Sequence, residues 1–212
     1  ELRQGACEIV YAEGKTPEEV RSIVERLLVG NDGSIIVSRT SPEHVDAVRA
    51  AAAGTAIEIV ERPRARCVAL RRNAPPRTGS VLIVTAGTSD LGVAEEAELT
   101  ASMLGAETEI VADVGVAGLH RLAAAQPMLA TADAVVVVAG MEGALASVVG
   151  GIAACPVIAC PTSVGYGASL GGLAALLSML SSCVPGVACV NVDDGVGAGT
   201  IAAMIARQST PR

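Results

Sequence analysis

The sequence predicts an α/β protein in which a doubly wound parallel sheet follows a smaller N-terminal α/β domain. Three observations carry that prediction. Short Val/Ile/Ala-rich runs at residues 81–85, 107–111, 134–139, 156–159 and 187–190 alternate with helix-length segments, and near-continuous apolar runs of this length are strands covered by helices on both faces. An earlier set of strand and helix signals is separated from these by residues 71–80 (RRNAPPRTGS), a basic, Pro-rich, Gly-containing stretch with linker chemistry. The chain of 212 residues is also long enough for one core or two unequal ones. The expected boundaries are an N-terminal domain over 1–72, a linker over 73–80 and a larger domain over 81–212.

Residues 8–11 form the first apolar strand. Thr16-Pro17-Glu18-Glu19 then supplies an N-cap hydroxyl, a proline at the first helical position and a glutamate at the third, which predicts a helix to about Leu28. Residues 34–37 are the next strand, Ser41-Pro42-Glu43 caps a second helix through Ala52, and residues 56–60 and 67–70 are further strands. In the larger domain, residues 169–182 predict a helix that is apolar or small all round, with Leu170, Leu173, Leu176, Leu177, Met179 and Leu180 among its residues. One sheet face cannot cover all of them, so the remaining side should pack against another subunit.

Composition excludes several classes. A formal net charge of -7 and a pI near 4.9 lack the basic footprint of a nucleic-acid binder. Phe and Trp are absent, so stacking on an aromatic ring is confined to Tyr11 and Tyr166. From Ala134 to Val192 the single charged side chain is Glu142, yet Pro156, Pro161 and repeated glycines break the stretch into pieces too short for a membrane span. Cys7, Cys67, Cys155, Cys160, Cys183 and Cys189 show no zinc or CxxC spacing and read as reduced thiols of a cytoplasmic protein. No signal peptide is expected before Glu1, and the start without Met suggests that upstream residues were removed or are absent.

Ligands of doubly wound sheets bind beyond the carboxyl ends of the strands, and four consecutive strand ends here carry small polar or ionisable groups. The first, Ala86-Gly87-Thr88-Ser89-Asp90, suits a phosphate held by hydroxyls, backbone N–H groups and a helix dipole, or else is an ordinary serine cap. The second carries Asp113 and then His120-Arg121, which are an anion-recognition pair or a solvated helix face. The third places Glu142 at a helix start, as a functional carboxylate or a simple helix-start acid. The fourth, beginning Pro161-Thr162-Ser163 and running through Tyr166, is a polar glycine-rich turn that a ligand could approach closely.

The segments GTSDLGVAEEAELT, DVGVAGLHRL, AGMEGALASVVGG, CPTSVGYGASLGGLAALLSMLSSC and NVDDGVGAG resemble the LarB family, as does the N-terminal EIVYAEGKTPEEV. Members of that family are pyridinium-3,5-biscarboxylic acid mononucleotide synthases, which begin assembly of the nickel-pincer nucleotide. The larger domain more distantly resembles the aminoimidazole ribonucleotide carboxylase and mutase family. That family has a histidine in an Ala-His-Leu-Pro-Gly segment where this chain has Met141-Glu142-Gly143-Ala144.

The LarB resemblance implies carboxylation of nicotinic acid adenine dinucleotide at ring carbon 5, with carbon dioxide or bicarbonate as cosubstrate, and cleavage of the phosphoanhydride to release AMP. It implies Cys183 as the nucleophile and Glu142 as the base. Thr88, Ser89 and Asp90 are then expected on phosphate or ribose, Lys15, His120 and Arg121 as further anion contacts, and Ser163 and Tyr166 beside the substrate. Magnesium is expected on the anhydride, with Asp90, Asp113, Asp193 and Asp194 as candidate ligands, and no organic cofactor is expected. The purine-carboxylase likeness implies a homo-octamer with its sites near subunit boundaries. The competing expectations are an aminoimidazole ribonucleotide carboxylase or mutase, and a nucleotide-binding module without catalysis.

Overall fold

A computed structural model describes residues 7–30, 32–73 and 75–209. The chain divides into two compact units, residues 1–76 and 77–212, each built on its own sheet. Among the described residues no helix is long and apolar enough to cross a membrane.

The first unit runs β1 (Glu8–Tyr11), α1 (Pro17–Gly30), β2 (Ile35–Ser38), α2 (Pro42–Ala51), β3 (Glu58–Arg62) and β4 (Cys67–Arg71). Its four-stranded sheet has the order β1-β2-β4-β3, with β1 parallel to β2 and the β3–β4 hairpin antiparallel. The capping box at Thr16 forms: Glu19 N–H donates to Thr16 Oγ1 at 3.2 Å and Thr16 N–H donates to Glu19 Oε2 at 2.8 Å. At α2 a histidine takes the glutamate's place, with Ser41 N–H donating to His44 Nδ1 at 3.0 Å. Since Nδ1 is an acceptor, His44 Nε2 is the donor to the Lys15 carbonyl at 2.8 Å. One buried imidazole thus holds both the start of α2 and the loop after β1.

The second unit runs β5 (Ser80–Thr85), α3 (Leu91–Met103), β6 (Glu107–Val111), α4 (Leu119–Ala124), α5 (Gln126–Leu129), β7 (Ala134–Ala139), α6 (Leu145–Gly150), β8 (Val157–Pro161), α7 (Leu173–Leu180), β9 (Val187–Cys189) and α8 (Gly195–Ser209). All five strands are parallel in the order β6-β5-β7-β8-β9, so the expected doubly wound sheet is what the chain builds. β7 is buried along its whole length, which is why its sequence is an unbroken Ala-Val run. The chain steps from β5 outward to β6 and then crosses to β7 on the other side, so the winding reverses between β5 and β7. Helices α3 and α8 pack closely because a Cβ at Gly199 would collide with the Ala97 carbonyl. The buried Glu96 carboxylate accepts from Gly195 N–H at 3.1 Å, capping α8 from across that contact.

The helix expected over residues 169–182 begins only at Leu173. Residues Gly167–Gly172 form a 3-10 stretch in which Leu170, Gly171 and Gly172 take left-handed backbone angles, φ 47°, 63° and 96°. The close approach of Gly172 to the Thr162 carbonyl requires this path, since a Cβ there would lie 2.7 Å from that oxygen. Ala175 and Met179 of α7 are buried, while Leu173, Leu177 and Leu180 remain 44%, 55% and 62% exposed.

Candidate active site

The first three strand-end loops, with Val164 from the fourth, close on a cleft of about 310 Å³ at the winding reversal, where doubly wound sheets bind ligands. Its wall includes Ser89, Asp90, Gly115, Met141, Glu142 and Val164. Glycines let the loops meet. A Cβ at Gly115 would lie 2.6 Å from the Ala86 carbonyl, and one at Gly140 would collide with the Val164 carbonyl, to which Met141 N–H donates at 2.9 Å.

Asp90 anchors the first loop. It is 3% exposed, its Oδ2 accepts from Gly87 N–H at 2.9 Å, and its Oδ1 accepts from the Thr162 hydroxyl at 2.7 Å. Burial raises its pKa above the ordinary carboxylate value, against the opposing pull of these hydrogen bonds and one from the Gly140 backbone. Thr88 and Ser89, beside it in the turn, are exposed. Thr162 is fully buried and ties the β8 end to this loop. The motif CPTSVGYG contained that hydroxyl, but only the strand order shows that it faces Asp90.

On the second loop, Asp113 has φ 60° and pairs with Arg121, Oδ2 to Nη1, at 3.4 Å. The guanidinium lies against Gly118, where a Cβ would sit 3.0 Å from Arg121 Cζ. His120 and Arg121 are exposed at the start of α4 and do not line the cleft. The third loop corrects an expectation: Glu142 is not in the first turn of a helix. Met141 (φ 50°) and Gly143 (φ 66°) fold the segment into a turn, and α6 starts at Leu145. Glu142 is exposed in the single chain, so any exclusion of water around it must come from other groups. On the fourth loop, Ser163 N–H donates to Asp193 Oδ1 at 2.8 Å, and Tyr166 is 80% exposed.

Cys183 lies away from the cleft. It follows the end of α7 and precedes β9, whose first residue Val187 pairs in parallel with Val157, the first residue of β8. The cysteine thus precedes the amino end of a strand, whereas Glu142 follows a carboxyl end. A Cβ at Gly143 would lie 2.9 Å from the Ala175 carbonyl, and the chain from Ala175 to Cys183 descends on the order of 10 Å at the helical rise. Cys183 is nevertheless the exposed thiol among the six cysteines. Burial raises the pKa of Cys155, Cys160 and Cys189, which disfavours their thiolates. Lys15 belongs to the first unit, where its ammonium donates to the Tyr11 carbonyl at 2.7 Å.

The four candidate magnesium ligands do not converge. Asp90 is engaged by Gly87 and Thr162, Asp113 by Arg121, Asp193 by Ser163 and Asp194 by Gly197 N–H at 2.7 Å. Among the described residues no group of three or more His, Cys, Asp or Glu side chains could hold a metal.

A parallel sheet wound 2-1-3-4-5, with a largely apolar cleft at its reversal point and the carboxylates of Asp90 and Glu142 in the wall, defines an α/β protein with a strand-end ligand site. Residues 80–212 match the AIR carboxylase family and residues 1–72 match the LarB/PurE-like N-terminal domain. An uncharacterized protein of Methanocaldococcus jannaschii is 38% identical over 211 residues, covering 98% of this chain and 81% of its own. The crystal structure of a Treponema denticola PurE2 variant superposes with a TM-score of 0.50 at 26% identity, over 61% of this chain and 80% of that one. The chain belongs to a LarB-type family related to AIR carboxylase, and its function is of the carboxylase or mutase type.

Proposed function

We propose that the protein carboxylates the pyridinium ring of nicotinic acid adenine dinucleotide at carbon 5 and cleaves its phosphoanhydride, giving pyridinium-3,5-biscarboxylic acid mononucleotide and AMP. The observation that carries this reading is the position of Glu142: it lines the same cleft as the Ser89-Asp90 turn, so one wall holds a base and the other a phosphate-type loop.

The ring is electron-poor and does not attack carbon dioxide unaided. The Cys183 thiolate adds to ring carbon 4 or 2, forming a carbon–sulfur bond and leaving an enamine from the nitrogen to carbon 5. Carbon 5 then bonds to carbon dioxide. Glu142 removes the carbon 5 proton, the thiolate leaves with its electron pair, and aromaticity returns with no net oxidation or reduction. Water adds across the anhydride to release AMP. Thr88 and Ser89 donate to phosphate or ribose oxygens, with His120 and Arg121 as further anion contacts and Ser163 and Tyr166 beside the substrate. Asp90 acts indirectly, by holding the turn through Gly87 and Thr162. No step is assigned to magnesium.

Cys183 does not line the cleft that Glu142 lines, and in this reading the thiol that serves a given cleft is supplied by another copy of the chain. This agrees with a homo-octamer whose sites lie at subunit boundaries, and the exposed Leu173, Leu177 and Leu180 supply an apolar face for such contacts. The test is incubation with the dinucleotide, bicarbonate and magnesium, followed by mass spectrometry for AMP and the dicarboxylated mononucleotide. Because residues 80–212 match the AIR carboxylase family, aminoimidazole ribonucleotide is the parallel substrate. Its turnover, without pyridinium product, would establish the purine-type reaction instead.

A further inference from the structure

The charge of the chain is unevenly divided. Of fifteen Lys and Arg residues, eleven lie in residues 1–76, against eleven carboxylates there; residues 77–212 hold four cations against eleven carboxylates. Of those four, Arg121 is the one beside the strand-end loops among the described residues, and it is already paired with Asp113. A cleft of about 310 Å³ is also at the small end of ligand pockets.

The first unit collects cations at one end of its sheet. The loop after β1 carries Lys15, the residue after β2 is Arg39, and the turn between β3 and β4 carries Arg64 and Arg66. Registers Tyr11↔Ser38 and Val37↔Val68 place all three connections at the same end. Arg39 and Arg66 both have left-handed backbone angles, φ 57° and 54°, a strain that persists only where neighbouring contacts hold it. Here they hold each other's segments: Thr40 N–H donates to the Arg66 carbonyl at 2.8 Å, and Arg66 Nε and Nη2 donate to the Thr40 and Arg39 carbonyls at 3.2 and 3.3 Å.

At this end stands Tyr11, one of two aromatic residues in the chain, with 52% of its surface exposed. The Lys15 ammonium lies 6.0 Å from its ring centroid. Its hydroxyl donates to Glu13 Oε2 at 2.5 Å, which fixes the ring, while the charges of Arg39 and Arg66 act on the same hydroxyl in opposition to Glu13. An oriented aromatic face set among cations stacks a base and neutralises a phosphate.

We propose that this end of the N-terminal sheet is a nucleoside monophosphate site, in which the base stacks on Tyr11 and the phosphate meets Lys15, Arg39 and Arg66. The choice of AMP as its ligand rests on the reading under Proposed function, where adenylate is half of the substrate and then a product.

The full-length protein is titrated with AMP by equilibrium dialysis. In parallel, tyrosine fluorescence is followed in wild type and in Tyr11→Ala, so that the difference between them reports Tyr11. AMP should bind and perturb Tyr11 fluorescence. Tyr11→Ala should weaken binding about ten-fold or more and Lys15→Gln or Arg39→Gln by a similar factor, whereas Tyr11→Phe, which keeps the stacking face and loses only the bond that fixes it, should weaken binding less than Tyr11→Ala does. Glu142→Gln should bind AMP with unchanged affinity. The proposal is overturned if Tyr11→Ala binds AMP as tightly as wild type, if inorganic phosphate competes as well as AMP does, or if single-stranded oligonucleotide binds far more tightly than AMP. Tyr11-dependent AMP binding without any carboxylated product would keep this site and remove the proposed reaction. Carboxylation with Tyr11-independent AMP binding would do the reverse.

Discussion

Ser147 and Ser182 share a hydroxyl–hydroxyl hydrogen bond of 2.9 Å across 35 residues of chain. Ser182 Oγ also accepts from Val184 N–H at 3.3 Å, so a single side chain fixes the backbone on both sides of Cys183. Ser147 sits on α6, which begins three residues after Glu142. The last residue of that helix packs tightly on the segment beyond the cysteine, because a Cβ at Gly150 would lie 2.6 Å from Val187 Cγ2 and 3.1 Å from Val184 Cγ1. Ser147→Ala should therefore cost about 1 kcal/mol of stability and change the rate at which iodoacetamide alkylates Cys183. It should also lower kcat several-fold with little change in KM. Ser147→Thr keeps the hydroxyl and should restore both rates. Equal alkylation rates in wild type and Ser147→Ala would reduce the bond to a local structural contact.

Cys183→Ala and Cys183→Ser should bring carboxylation below detection while leaving dinucleotide binding and assembly intact. Cys183 is exposed, and a change at such a position moves stability by no more than about 0.5 kcal/mol. Denaturation curves separate a chemical defect from a folding one. In wild type, the dinucleotide should be trapped as a mass increase on the peptide containing Cys183, and normal turnover by the alanine variant would dismiss the covalent route.

Glu142→Gln should slow the step that breaks the carbon 5 to hydrogen bond by about 10²–10⁴-fold, the usual worth of a positioned base. Deuterium at ring carbon 5 is the probe. The variant should show a larger isotope effect on kcat than wild type, since proton removal then limits turnover. Full turnover in the variant would leave Glu142 as a wall residue of the cleft.

How much of this was legible before the structure depends on the kind of signal. The β7 run is unambiguous because a strand buried on both faces leaves no polar alternation to misread. The capping box at Thr16 and Glu19 was equally clear, being local chemistry. The start of α7 was not: Leu170 looks helical in sequence, and its left-handed angle is imposed by the approach of Gly172 to Thr162. The turn around Glu142 was hidden in the same way, because Met141 carries no signature of a positive φ. The cleft's polar loops were visible as strand ends, but their convergence depended on strand order. That order also sets Cys183 toward the amino ends of the sheet.

The raised pKa of Asp90 has a consequence for stability. The folded protein binds a proton at this carboxyl while the unfolded chain is still ionised, because burial disfavours the charge. The contribution of Asp90 to stability is therefore greatest below the ordinary carboxylate pKa. It declines as pH rises from there through the elevated folded value, and stays constant above it. Asp90→Asn should remove that slope from the pH dependence of unfolding. It should also lower stability by about 1–3 kcal/mol at neutral pH, because the amide cannot accept both the Gly87 N–H and the Thr162 hydroxyl without setting its own N–H₂ against a donor. Urea denaturation of both proteins across the acidic range checks both parts, and parallel curves would assign the slope to other carboxylates.

Assembly gives the last prediction. α7 buries Ala175 and Met179 against its own unit but leaves Leu177 and Leu180 more than half exposed, with the smaller Ala174 on the same helix. A monomer gains nothing from leucines at those positions, whereas a subunit contact removes them from water at about 25 cal/mol per Å² of apolar surface. The proposed reaction needs such a contact as well, since Cys183 and the cleft that holds Glu142 lie apart within one chain. Light scattering should give a wild-type particle of eight times the 21.2 kDa chain mass. Leu177→Glu or Ala174→Arg should split the particle or prevent soluble expression, by placing an unpaired charge in the contact. Where the Leu177→Glu protein stays folded, it should lose carboxylation along with assembly, although neither Cys183 nor Glu142 has been altered. A well-behaved wild-type monomer, or a dispersed Leu177→Glu monomer with full activity, would mean that each chain brings its own cysteine to its own cleft and would overturn the shared site.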